Sequence, residues 1–317
     1  MKKLWVLTIA LFFCGCFQQA QMPKVETPPS QIARQNSDER ITKLVKIKQA
    51  IVPFFKPMGM PQKNDWLATF KEPGQTFEEY VGSNPVLPTA ERRTIYIEPI
   101  GKFSATEREV LSLTAEFMRA FYNLPVVLKT EEKLENVPEE LTRKNLYTKQ
   151  TQIETTYFLK NLLPKIIPAD AAALVCFTDA DLFPASDWSF VFGEASLQNR
   201  VGVWSFYRLG NPEKSEKDYK LFLARTLKIA MHETGHIFSM HHCTKYECLM
   251  SGTNNLQEID RRPPDVCPEC MAKIAWAMNY EPAERYKNLA NFCGRHGLVE
   301  LSKEFKAKEK AVRQITN

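Results

Sequence analysis

His232-Glu233-Thr234-Gly235-His236-Ile237-Phe238-Ser239-Met240-His241-His242-Cys243 is the stretch on which the reading of this chain turns. Residues four apart on a helix lie on one face, one turn above the other, so the rings of His232 and His236 reach a single metal ion. Glu233 stands beside the first of them. Its carboxylate lies near the open metal position, where it can take a proton from water and hand it to a leaving amine. Three protein ligands and one open position define a catalytic zinc site. His242 is the natural third ligand if the helix ends near Ser239 and the chain turns back toward the metal. His241 is then an exposed neighbour or a donor behind the ligands.

This spacing is the extended zinc-protease pattern, with Ser239 where that pattern has glycine. A non-glycine residue in a left-handed turn costs roughly 1–2 kcal/mol, a cost that metal binding can offset. Downstream stand Cys243, Cys248, Met250 and then Cys267-Pro268-Glu269-Cys270. A cysteine pair, a loop and a CxxC have the spacing of a closed four-thiolate zinc site. Two disulfides are the alternative, which an oxidising compartment favours. With these residues on view, the chain resembles the archaemetzincins, metzincin-clan zinc peptidases whose motif continues with the same cysteine, methionine and CxxC pattern. Thr178 to Phe183, Phe190 to Ala195, Ser205 to Leu209 and Asn255 to Pro263 resemble further blocks of that family. The likeness covers the chain from near Thr94 to near Leu298.

The resemblance implies a zinc metallopeptidase of the α+β class. Its catalytic domain would have a mixed twisted sheet with packed helices, an active-site helix carrying HExxH, and a cysteine-rich zinc-binding C-terminal subdomain. It implies two zinc ions per chain. The catalytic one is held by His232, His236 and His242 with Glu233 as general base; the structural one is held by Cys243, Cys248, Cys267 and Cys270. Met250 takes the place of the methionine in the turn beneath the ligands, supporting the site without binding metal. The segment Arg200 to Arg208 is expected to be the edge strand that pairs with an extended peptide substrate. A zinc-stabilised module that binds peptides with little or no cleavage is the alternative reading. An interaction ribbon built on the cysteines alone is a third.

With 44% hydrophobic residues over 317 positions, the chain can bury a full core. A net charge of +5, with dispersed basic residues, argues against nucleic acid as a partner. A peptide or protein substrate and a monomeric chain are the expectations. Lys2 and Lys3 precede an apolar run from Leu4 to Phe13, too short for a stable span and suited to a signal peptide over residues 1–16. Cys14-Gly15-Cys16 resembles a lipobox in which Cys16 is lipidated, so the protein is expected to be exported and held in the cell envelope.

Residues 17–93 read as a proline-rich tether and extension, with a short helix within Ile41 to Val52. The aromatic residues Trp66, Phe70, Phe77 and Tyr80 suggest that its later part packs on the peptidase domain, residues 94–300. Thr94 to Gly101, Pro125 to Leu128 and Ala171 to Phe177 read as strands. A helix opens at Ser104 with Glu107 as its capping-box partner. Lys144 to Leu163 and Leu221 to Phe238 read as further helices. Cys176, Cys293 and His296 are read as structural, Asp179 and Asp181 as turn residues, and residues 301–317 as a charged tail.

Overall fold

Strand β1 (Thr94–Ile100) begins the scaffold that carries the histidines. It lies beside β2 (Val126–Leu128) and β5 (Ala171–Thr178), both parallel to it, in the register Ile97↔Leu128 and Ile97↔Val175. In the computed structural model, which describes residues 29–316 and the side chains of 38–315, the five-stranded sheet runs β2-β1-β5-β8-β7. Strand β8 (Val201–Ser205) is parallel to β5, and β7 (Gly193–Ala195) is antiparallel to β8. A second sheet pairs β3 (Thr142–Lys144), β4 (Thr151–Glu154) and β6 (Asp181–Phe183). The expected signal run and Cys16 lie outside the described residues. The described residues 29–39 and 40–316 fall in two separate units.

Every residue of β5 is buried, because a parallel central strand is covered on both faces. Its side chains divide between two cores. Leu174 and Cys176 join Val201, Val203 and Phe158 on one side, while Ala173, Val175 and Phe177 join Trp204, Phe222 and Ile237 on the other. The second side carries the active-site helix, Glu216–Ile237. Gly202 permits that close approach, since a Cβ there would lie 3.1 Å from Ile237 Cδ1. Helix Ala105–Tyr122 opens with the capping box of Ser104 and Glu107 and packs Val110, Leu111, Phe117 and Phe121 into the same core.

The active-site helix starts at Glu216, five residues before its apolar periodicity begins at Leu221, because Ser215 caps it through the Asp218 amide at 3.1 Å. Its other end decides the site. The Ser239 amide donates to the His236 carbonyl at 2.8 Å and the Met240 amide to the Gly235 carbonyl at 3.1 Å. Those two bonds, with Ser239 left-handed at φ 62°, are a Schellman closure. The serine hydroxyl compensates for the strain by accepting the Val86 amide and donating to the Leu197 carbonyl, each at 3.0 Å. Ser239→Gly should therefore stay within about 1 kcal/mol of wild type, losing the hydroxyl and relieving the turn. Ser239→Ala keeps the strain and loses both bonds, so chemical denaturation should find it roughly 1–2 kcal/mol less stable. Equal stability of the alanine variant and wild type would show that the hydroxyl bridges nothing of consequence.

Besides the helix expected within Ile41 to Val52, which runs over Pro29–Ile51 and so begins inside the expected tether, three stretches differ from their sequence reading. Lys144 to Leu163 is not one helix: β3 and β4 form a hairpin, followed by a π-helical turn, Tyr157–Leu162, and a short helix, Leu163–Ile166. Asn145 Oδ1 accepts the amides of Tyr147 and Thr148, and Lys149 sits at φ 60°, so side-chain turn chemistry overrides the helical pattern. Strand β8 is interior to the sheet, and the edge is β7, three residues long and too short to register as alternation.

The third is residues 301–316, which belong to helix Val299–Thr316, with Phe305 and Val312 buried. Its Lys308 is wholly buried and donates to Asp265 at 2.9 Å, alongside Arg285 at 2.8 Å, so part of the apparent surface charge is interior. Residues 40–93 lie in the same compact unit as the sheet. Phe77 and Tyr80 are fully buried there, and the Tyr80 hydroxyl donates to the Phe238 carbonyl at 2.8 Å.

Candidate metal centres and cleft

Helical spacing puts His232 and His236 on one face, and the turn at Ser239 brings His242 back to them. The three rings have centroids 4.6, 5.2 and 4.9 Å apart, and one ligand atom from each lies within 4.8 Å of the others. Every Nδ1 faces an oxygen that only accepts: the Leu249 carbonyl at 2.9 Å for His232, the Met240 carbonyl at 2.6 Å for His236, and both Glu72 oxygens at 3.0 Å for His242. Each Nδ1 therefore carries a proton and donates it to that oxygen. Desolvation pushes His232 down to about 3 and His236 well below the ordinary imidazole range, with neighbouring histidines adding to both shifts. Both rings are thus neutral, and their Nε2 lone pairs confront one another at 3.0 Å. Two bare acceptors so close repel unless a cation lies between them, so this donor set fits a metal ion such as zinc.

Met250 lies beneath the helix between the two histidines. A Cβ on Gly235 would come within 2.5 Å of its sulfur, so the glycine makes the room that the methionine fills. Glu233 is 8% exposed and opens on the same cleft as the histidines. Desolvation, with Glu194 nearby, pushes its carboxyl up to about 8. Gly193 of the edge strand lies directly over it, because a Cβ there would approach Glu233 Cγ and Oε1 to 3.0 Å. The cleft encloses about 550 Å³. One wall carries Trp66 and Trp188, with Phe70 packed against both: Trp66 lies 4.3 Å from Phe70, Phe70 stacks on Trp188 at 5.4 Å, and Trp66 meets the His242 ring edge-on at 4.9 Å.

The four cysteines singled out by spacing form a second group, buried, with one sulfur of each within 4.8 Å of the others. All six described cysteines are free thiols, and Cys243 Sγ lies 3.6 Å from Cys267 Sγ. The amides of Met250 and Cys267 donate to Cys248 Sγ at 3.4 and 3.2 Å, the kind of support a thiolate ligand receives from its surroundings. Hydrogen bonds from Cys248, Cys267 and Cys270 hold Cys243 far below the ordinary thiol range, whereas burial pushes Cys248 and Cys267 up. Four buried sulfurs within reach of one point, one of them accepting two backbone amides, suit a soft cation, and this group too fits zinc. The Cys243 amide donates to the Met250 carbonyl at 2.8 Å, so the two groups share one backbone unit.

Other candidate residues are accounted for by packing. Asp181 is buried against Arg208 at 2.6 and 2.7 Å and accepts from Gln152 at 3.0 Å. Cys176 and Cys293 are buried among apolar side chains and belong to neither group. His296, which has no partner legible in sequence, lies 2.9 Å from Glu116. Glu72 was not legible either. It stands 170 residues from His242 in a stretch without a motif, and only the closeness of Pro73 and Gly74 hints at a turn.

The model for peptidase family M54 matches residues 101–276. Archaemetzincin-2 of Homo sapiens is 36% identical over 274 residues, covering 75% of this chain and 74% of that protein. The archaemetzincin of Thermococcus kodakarensis is 32% identical over 188 residues, covering 57% of this chain and 95% of its own. The crystal structure of archaemetzincin from Methanopyrus kandleri aligns with a TM-score of 0.50 at 22% identity, over 61% of this chain and 99% of that one, which shows a shared fold. A mixed sheet with packed helices, a three-histidine group and a four-cysteine group define a metal-dependent class of protein. Within it, the chain belongs to peptidase family M54, the archaemetzincins, and is a zinc metallopeptidase acting on peptides.

Proposed function

We propose that His232, His236 and His242 hold the catalytic zinc, that Glu233 is the general base, and that Cys243, Cys248, Cys267 and Cys270 hold a second, structural zinc. The observation that carries this reading is the convergence of three imidazole rings, each with its Nδ1 held by an oxygen, on the floor of a cleft, beside a buried carboxylate. Zinc bound there supplies Lewis acidity, polarising a peptide carbonyl and making water a better acid. Glu233 accepts the proton of the attacking water and returns it to the departing amine. Its position beneath Gly193 keeps it against the edge strand, where the scissile bond would lie.

Strand β7 offers its outer edge to the substrate. It pairs with β8 on one side, and Phe192, Gly193, Glu194 and Ala195 line the cleft on the other. An extended peptide added there bonds through its main chain, which fits a protease with modest side-chain selectivity. The aromatic lining of Trp66, Trp188 and Phe190 favours apolar side chains beside the cleaved bond. The test is turnover of a mixed peptide library by the purified chain beside its Glu233→Gln variant. Cleavage by the first and not the second is expected. Peptide capture by both without cleavage would move the reading to a binding module.

A further inference from the structure

The three histidines do not draw their orienting partners from one source. Leu249 and Met240, which fix His232 and His236, belong to the chain just beyond the active-site helix. His242 instead faces the carboxylate of Glu72, which lies outside the family-matched residues 101–276. The need is greatest at that ring. His232 and His236 ride on a helix, whereas His242 sits in an irregular stretch with no regular backbone bonding to hold it.

The segment carrying Glu72 is fastened along the same turn. Tyr80 donates to the Phe238 carbonyl at 2.8 Å, and the Val86 amide donates to the Ser239 hydroxyl at 3.0 Å. Gln75 accepts the His241 amide at 3.2 Å and is itself held by Lys273 at 3.1 Å. Gly74, at φ 74°, lets the segment pass close over Thr244, whose hydroxyl would lie 2.4 Å from a Cβ at that position. We infer that Glu72 is a positioning residue of the catalytic metal centre, delivered by residues 66–86, which clamp the turn that presents His242. A carboxylate accepting Nδ1–H fixes the ring and strengthens Nε2 as a donor more than a carbonyl does.

The inference rests on the reading of the three histidines as a metal site, and the test separates the two. The full chain is stripped of metal and reloaded with Co2+. The histidine site is followed by its d–d absorption and the cysteine site by its thiolate-to-cobalt charge-transfer band. Competition against a chelator then gives the affinity of each site. Glu72→Gln leaves His242 with a neutral acceptor and should weaken the histidine site about 10-fold; Glu72→Ala should weaken it roughly 100-fold. The charge-transfer band should be unchanged in both, which also reports that the fold is intact. Glu72→Gln keeps the side-chain volume and decides the matter if the alanine variant misfolds. Wild-type affinity in Glu72→Gln, with loss in His242→Ala, would overturn the role of Glu72 alone. Wild-type affinity in His242→Ala would overturn the metal-site reading beneath it.

Discussion

Glu233→Gln should bind zinc as the wild type does and hydrolyse peptides roughly 10²–10⁴-fold more slowly. The side chain is no member of the ligand set, so its replacement leaves the three histidines and their oxygen partners in place. What disappears is the proton acceptor in the cleft, a loss of about 3–5 kcal/mol of transition-state stabilisation. Glutamine also removes a carboxyl that is costly to ionise where it is buried, so the variant should melt no lower than the wild type. Metal content, melting temperature and kcat/KM, measured on one preparation, check all three. Undiminished turnover would show that another group moves the proton. Lost metal would show that Glu233 holds the site together and does more than act as its base.

Cys267→Ser should have the largest effect on stability. The four thiols are buried in the main core, and Cys267 is the cap residue of helix Pro268–Met278, whose Pro282–Arg295 neighbour packs on helix Ala105–Tyr122. A structural zinc contributes folding free energy directly. Losing one of its four ligands should cost about 5 kcal/mol or more, lowering the melting temperature by roughly 10 °C or more. A chelator should lower the wild-type melting temperature in the same direction, and a thiol reductant should leave it alone. Sensitivity to reductant with indifference to chelator would instead mark these cysteines as disulfides.

Much of the scaffold was readable because its signals are local. The β-branched run at Thr94, the buried run at Ala171 and the Ser104 capping box each determine their own conformation within a few residues. The left-handed turn at Ser239 was readable too, since the histidine spacing requires the chain to reverse there. What escaped depends on partners far away in sequence. The hairpin of β3 and β4 hides in a helical pattern until Asn145 takes the turn amides for itself. Lys308 counts as surface charge until Asp265 is placed beside it. Glu72 carries no pattern at all, and its meaning comes from a fold that returns it to His242.

The reading stands or falls on two metal sites in one chain. Elemental analysis of the full chain, purified without added metal and under mild reductant, tests this most directly when His236→Ala is measured beside it. The account predicts two zinc ions in the wild type and one in the variant, the remaining ion belonging to the cysteines. One zinc in both proteins would contradict it, because the three histidines would then hold no metal.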